Sequence, residues 1–190
     1  MDDPKLEQAR QKLESAVSLN PEEAETEKSQ EAMEKVLEAR KLLAQVRKEH
    51  IKEIRQIDLN DVVSLFDEHI RQFARPSEAT AFDNLAKTAQ RSIDRNDKDF
   101  EDHLDKLRGK SFEILWRQDW FVVERFKSMA AHPHQFADKR RFEELVQMGT
   151  QFMRSDDMEK LRAVIAQLWR IQINSGPDNE SFDIANIIRG

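Results

Sequence analysis

Residues 111–129 read SFEILWRQDWFVVERFKSM and hold two of the chain's three tryptophans, Trp116 and Trp120. Phe112, Ile114, Leu115, Phe121, Val122, Val123, Phe126 and Met129 accompany them. At helical spacing these positions cover most of the circumference, leaving Glu113, Arg117, Gln118, Glu124 and Lys127 as a wet side. A helix apolar on so many faces has to be enclosed by other elements. The spacing therefore predicts one continuous helix here, at the centre of an all-α helical bundle, with Trp116 and Trp120 on a shared face.

Working outward, Asp3-Pro4 has the form of a helix start, a capping side chain ahead of a proline at the first position. Leu6, Ala9, Leu13, Ala16 and Val17 fall on one face of that helix. Asn20-Pro21, with Glu23 three residues beyond Asn20, resembles a capping box opening the next. Nothing interrupts a helix from there to residue 57. It is dense in Glu, Lys and Arg, with a narrow stripe of Met33, Val36, Leu37, Leu43, Val46, Ile54 and Ile57 broken by Arg40 and Arg47. Two readings stand side by side: a long solvated helix leaning on the bundle by one edge, and a partner-binding coiled-coil arm with Leu43 and Val46 in its seam.

Asp58-Leu59-Asn60-Asp61 predicts a bend. An amphipathic helix with Val62, Phe66, Ile70 and Phe73 follows and stops before Arg75-Pro76, with Ser77 as the cap of its successor. That next helix carries Phe82, Leu85, Ala86, Ala89 and Ile93. A break at Asn96-Asp97 leads to a short helix ending at Gly109. Beyond the aromatic segment come a His132-Pro133-His134 turn, a helix from Asp138, and a last one capped by Ser155-Asp156-Asp157 and stopped at Asn174-Ser175-Gly176-Pro177. Phe82, Leu85, Ile93 and Asp97 share their spacing with Phe142, Leu145, Met153 and Asp157, an echo that predicts two similar helical hairpins. The domain reading is an arm over 1–57, a bundle over 58–176 and a flexible or docking tail over 177–190.

The totals agree with a surface-rich helical protein. In 190 residues, 36% are charged and 38% hydrophobic, with four glycines and five prolines, too few turn formers for an all-β chain. The absence of cysteine excludes disulfides and thiolate chemistry and fits a reducing cytoplasm. No apolar run is long enough to span a bilayer. A net charge of −6 argues against a nucleic-acid partner.

No catalytic constellation is legible. There is no Gly-x-Ser-x-Gly elbow, glycine-rich phosphate loop or His-Glu-x-x-His helix. His132 and His134, even with Asp138, lack the further ligands of a metal site. Asp156-Asp157 reads as a cap, and Lys139-Arg140-Arg141 as the solvated face of a helix start. The sequence therefore predicts no catalytic, cofactor-binding or metal-binding residue and no cofactor. Trp116, Trp120 and Phe121 read first as core, with a groove for apolar peptide as the alternative, an exposed tryptophan being the mark of a binding patch. With Leu43 and Val46 they are the candidate partner contacts.

The order of parts carries a resemblance. A capped first helix (Asp3-Pro4-Lys5-Leu6), a long charged helix and a compact terminal bundle resemble the C-terminal helical lid region of DnaK-type, heat-shock-70 family chaperones. FDNLAKTAQRSIDRNDKDFEDHL and MRSDDMEKLRAVIAQLW are similar to that family's lid hairpins. The resemblance implies a non-enzymatic lid or accessory domain that modulates retention of polypeptide clients. It implies protein partners: the chaperone's own peptide-binding domain, unfolded clients and co-chaperones. ATP would bind a domain outside this chain, which would be the C-terminal piece of a longer protein. The departures are the lack of any legible β-sandwich or nucleotide signature, a terminus of Ile187-Ile188-Arg189-Gly190 in place of Glu-Glu-Val-Asp, and an unusually aromatic central segment. The alternative is a stand-alone helical adaptor that oligomerises through its arm.

Overall fold

The structure, a computed structural model, describes residues 3–17 and 26–173, without the side chains of 26–29. Eight α-helices make up nearly all of the described residues, with no strand among them and one isolated bridge, Phe136 to Gln172. The chain divides into two compact units, Met1–Asp58 and Leu59–Gly190. Asn20-Pro21, the stop at 174–177 and the tail at 177–190 lie outside the described residues.

The first unit is a helical hairpin, α1 (Pro4–Val17) against α2 (Thr26–Glu49). Asp3 caps α1, its carboxylate accepting from the Lys5 N–H at 2.8 Å. Small residues meet where the helices touch: Ala9, Ala39 and Val46 are the buried apolar residues of this unit. Lys5 binds Glu49 at 2.6 Å, and Lys12 binds Glu38, so the two helices run antiparallel. The stripe expected to lean inward is divided. Val46 is covered by its own hairpin, whereas Met33 and Leu37 are exposed, because Val46 lies on the same side of α2 as buried Ala39 and the other two lie well round the helix from it.

The helix expected over 21–57 pauses at His50 and resumes as α3 (Ile51–Leu65). The His50 N–H still reaches the Val46 carbonyl at 2.9 Å, and Ile54 returns to the His50 carbonyl at 3.0 Å. The His50 ring meets the Asp3 carboxylate at 3.0 Å. The break in helix expected at Asp58-Leu59-Asn60-Asp61 is absent, since α3 includes all four residues. Those residues contain no glycine or proline, and Leu59, buried with Val62 and Val63 packed nearby, keeps the helical period intact.

In the second unit α3 ends in a π-turn, Phe66–Ile70, and a 3-10 turn, Arg71–Phe73. The wider turn buries both Phe66 and Ile70. Extended backbone at Arg75 then precedes Pro76, the first residue of α4 (Pro76–Arg95). Ser77 lies inside this helix and is not its cap. Instead Glu78 reaches back to the Arg75 N–H at 2.8 Å. Phe66 stacks on Phe82 with centroids 3.6 Å apart, at the heart of a first core that α5 (Phe100–Trp116) completes with Phe100, Leu104, Leu107, Ile114 and Leu115.

α5 passes through Gly109, where the sequence predicted an end, and stops at Trp116. The continuous helix expected over 111–129 is therefore two, α5 and α6 (Asp119–Ala130), with Gln118 extended between them at φ −89° and ψ 121°. The cause is tertiary. Arg162 of α8 (Met158–Ile171) donates to the Trp116 carbonyl at 3.3 Å and to the Asp119 carboxylate at 2.7 Å, capping one helix and tethering the next. The apolar circumference is satisfied by two cores, with Ile114, Leu115 and Phe121 in the first. Val122, Phe126 and Met129 of α6 join α7 (Lys139–Arg154) and α8 in the second core, and Trp116 packs against both.

The two predicted hairpins are α4–α5 and α7–α8. Asn96 and Asp156, sixty residues apart, are the non-glycine residues with positive φ among the described residues, at 56° and 57°. After each, the next N–H bonds back to an equivalent carbonyl: Asp97 to Ser92 at 2.8 Å, Asp157 to Phe152 at 3.0 Å. Buried Ala89 in one hairpin corresponds to buried Gly149 in the other.

Candidate protein-interaction surface

Trp120, the second residue of α6, is 40% exposed. Its indole rests on Phe73 at 5.9 Å and meets the edge of buried Phe121 at 5.8 Å and 85°. Charged pairs hold the backbone just before it. Arg117 forks onto Glu78 at 2.6 and 2.8 Å, and Asp119 is held by Arg162. The Arg117 guanidinium and the Arg75 N–H hold the Glu78 carboxyl down at about 2, against an ordinary 4.5. An indole left 40% exposed and packed on Phe73 and Phe121, with arginines nearby, has the composition of an interface hot spot, since packing on two rings limits the side-chain freedom lost on docking.

Trp116 and Trp120 do not share a surface, since the break at Arg117-Gln118 gives them separate partners. Trp116 stacks on Phe112 at 5.4 Å and tilts against Trp169 at 5.2 Å, half-buried between the cores. Phe121 is fully buried. In the first unit Leu43 is 41% exposed and Val46 is buried. Of the five candidate contacts, Trp120 and Leu43 are therefore the exposed ones. Phe73, Glu78 and Arg162 complete the setting of Trp120, and nothing in the sequence linked them to it, since they come from three other elements.

The remaining polar motifs serve local structure. Asp138 caps α7, accepting from the Arg141 N–H at 2.9 Å, and Asp157 caps α8 from Lys160 at 3.2 Å. Arg141 is bonded to Glu144 and Gln167. The His132 ring meets the Ser128 carbonyl at 2.7 Å, and its ring lies 5.8 Å from that of His134. Among the described residues no group of three or more His, Asp or Glu side chains gathers where a metal ion would bind. Among them, too, no helix is long and apolar enough to cross a membrane. An open groove of about 590 Å³ runs between α4 and α5, with Leu85 and Gly109 along it and Lys106, Lys110 and Glu113 among its lining residues.

Comparison with protein families, with curated proteins and with solved structures finds no match to this chain.

Proposed function

We propose that the chain is a non-enzymatic helical accessory module that binds protein, working as the lid of a DnaK-type chaperone in the cytoplasm and slowing release of polypeptide clients. Trp120 carries this reading: a large aromatic side chain left 40% exposed just beyond Arg117 and Asp119, whose charges are paired with Glu78 and Arg162. The sequence resemblance supplies the chaperone context. In that setting the bundle is a rigid mass whose closure retains a client bound by a neighbouring domain.

The test is to join the chain to the peptide-binding β-sandwich of a DnaK-type chaperone stripped of its own helices, then follow dissociation of a fluorescent extended peptide. Release slows with the chain attached, and Trp120→Ala returns it to the lidless rate. Equal rates with and without the chain would reject the lid. The second reading, a stand-alone adaptor, is favoured by the large apolar side chains that face outward from the α1–α2 hairpin.

A further inference from the structure

We propose that the open groove between α4 and α5 is a docking site for the chain's own C-terminal segment, residues 177–190. This surface is separate from Trp120, and the inference stands apart from the lid reading.

Ala81 and Leu85 of α4 line one side of the groove, and Lys106, Gly109, Lys110 and Glu113 of α5 line the other. Its floor is low, since Ala81 is small and Gly109 has no side chain. Glycine weakens a helix interior, yet packing does not require it at Gly109, where a Cβ meets nothing within 4 Å. The repeat indicates what the groove lacks. At the offset of sixty residues that relates Phe82 to Phe142 and Asn96 to Asp156, Gly109 corresponds to Trp169. In the second hairpin that position carries a ring, which packs on Phe112 and Trp116 of α5. In the first hairpin it carries nothing, and the space is left for a large apolar side chain from elsewhere.

The C-terminal segment has the chemistry to supply one. It offers Phe182, Ile184, Ile187 and Ile188, set among Asp178, Glu180, Asp183 and Arg189. Lys106 and Lys110, one turn apart, form no ion pair with a described carboxylate. Beyond Lys106 the same side of the hairpin carries Arg91 and Arg95 against Asp99 and Asp102, so this end stays basic. The charges agree in order as well as in sign: in the segment the acids come first and Arg189 last, and along the groove the lysines come first and Glu113 last. Attachment and reach fit the same direction. From Arg162 to Trp169, α8 steps back along α5 from the Trp116 carbonyl toward the Phe112 ring, so the chain leaves α8 heading for the lysine end. At about 100° per residue, Gly109 falls between Phe112 and Lys106 around α5, a low point over which a chain crosses from the α8 side to the α4 side. Nine residues lead from Ile173 to Phe182, about 30 Å when extended. From Phe112 to Lys106 is only about 9 Å along the helix.

Hydrogen exchange on the full chain, read by mass spectrometry, tests this. Amides of residues 182–188 exchange about tenfold or more slowly than in a free peptide of the same sequence. Lys106→Glu with Lys110→Glu removes that protection by placing like charges together, while the helical circular dichroism is kept. Adding Glu180→Lys and Asp183→Lys to that variant restores the protection, a rescue that loss of folding would not show. Exchange at the free-peptide rate would leave the groove to an external partner and overturn the proposal. Protection indifferent to the lysine changes, or protection that grows with protein concentration as a second copy's segment would produce, would overturn it equally.

Discussion

The chain contains two helical glycines whose replacement by alanine has opposite predicted effects. Alanine is better than glycine inside a helix by about 1 kcal/mol, since glycine loses more backbone freedom on folding. At Gly109, within α5 beside the open groove, an added Cβ meets nothing within 4 Å. Gly109→Ala should therefore realise nearly the whole gain, about 1 kcal/mol of added stability. At Gly149, buried in α7, the same atom would stand 2.2 Å from Cε2 and 2.5 Å from Cζ of Phe126. That ring is itself buried in the second core and has no open space to enter. Overpacking a well-filled core costs about 1–3 kcal/mol, so Gly149→Ala should lose up to about 2 kcal/mol after the helical gain. Trp116, Trp120 and Trp169 all belong to the second unit, so thermal unfolding followed by tryptophan fluorescence reads the relevant part of the molecule. At a few degrees per kcal/mol for a unit of this size, Tm should rise by about 3–4 °C in the first variant and fall by several degrees in the second. A double-mutant cycle pairing Gly149→Ala with Phe126→Leu should show a favourable coupling of about 1 kcal/mol, because the shorter side chain makes room. A higher Tm for Gly149→Ala alone would refute the packing described for α6 and α7.

Three further outcomes follow from the second unit. Arg162→Ala should cost about 1–2 kcal/mol in denaturant unfolding, since it removes a charged bond to Asp119 and the cap of the Trp116 carbonyl. Arg162→Lys, which cannot span both acceptors with a planar fork, should recover part of that loss. The Glu78 carboxyl is held at about 2 in the folded protein, below its ordinary 4.5. Its contribution is thus fully present above the unfolded value and is lost as pH falls through the folded one. Glu78→Gln should lower Tm at neutral pH, and the difference from the parent protein should shrink between pH 4.5 and about 2. Asp156 occupies the left-handed region at φ 57°, so Asp156→Gly should raise stability by about 0.5–1 kcal/mol in the same unfolding assay.

Helices α4, α7 and α8 were legible because each combines a start signal with a strong one-sided period. Pro76 follows an extended residue, α7 starts beside Asp138 as expected, Asp157 accepts the bond of a cap, and Phe142 and Leu145 repeat the spacing of Phe82 and Leu85. The break inside 111–129 was not legible, because Arg117-Gln118 contains no residue that disfavours helix. It is imposed by Arg162, more than forty residues away in sequence, and by Glu78 on α4. The apolar circumference was a true signal of full enclosure, but enclosure by two cores looks the same in sequence as enclosure by one. The candidate site was half legible for the same reason. An exposed tryptophan was the right mark to seek, yet which of Trp116 and Trp120 would carry it depended on that break. In the hairpin, Ala9 was named on the apolar face but Ala39 was passed over beside Met33 and Leu37, since a broken apolar stripe does not reveal which of its edges meets the neighbouring helix.

Trp116 closes α5 while its indole touches residues of both cores, and so links two hairpins that are otherwise complete. The second unit should consequently melt in a single cooperative step, the hairpins sharing stability through Trp116, through Phe112 against Trp169, and through Phe121, which α6 sends back into the first core. Truncating the Trp116 ring would loosen that coupling and broaden the transition, exposing which half of the repeat is the weaker.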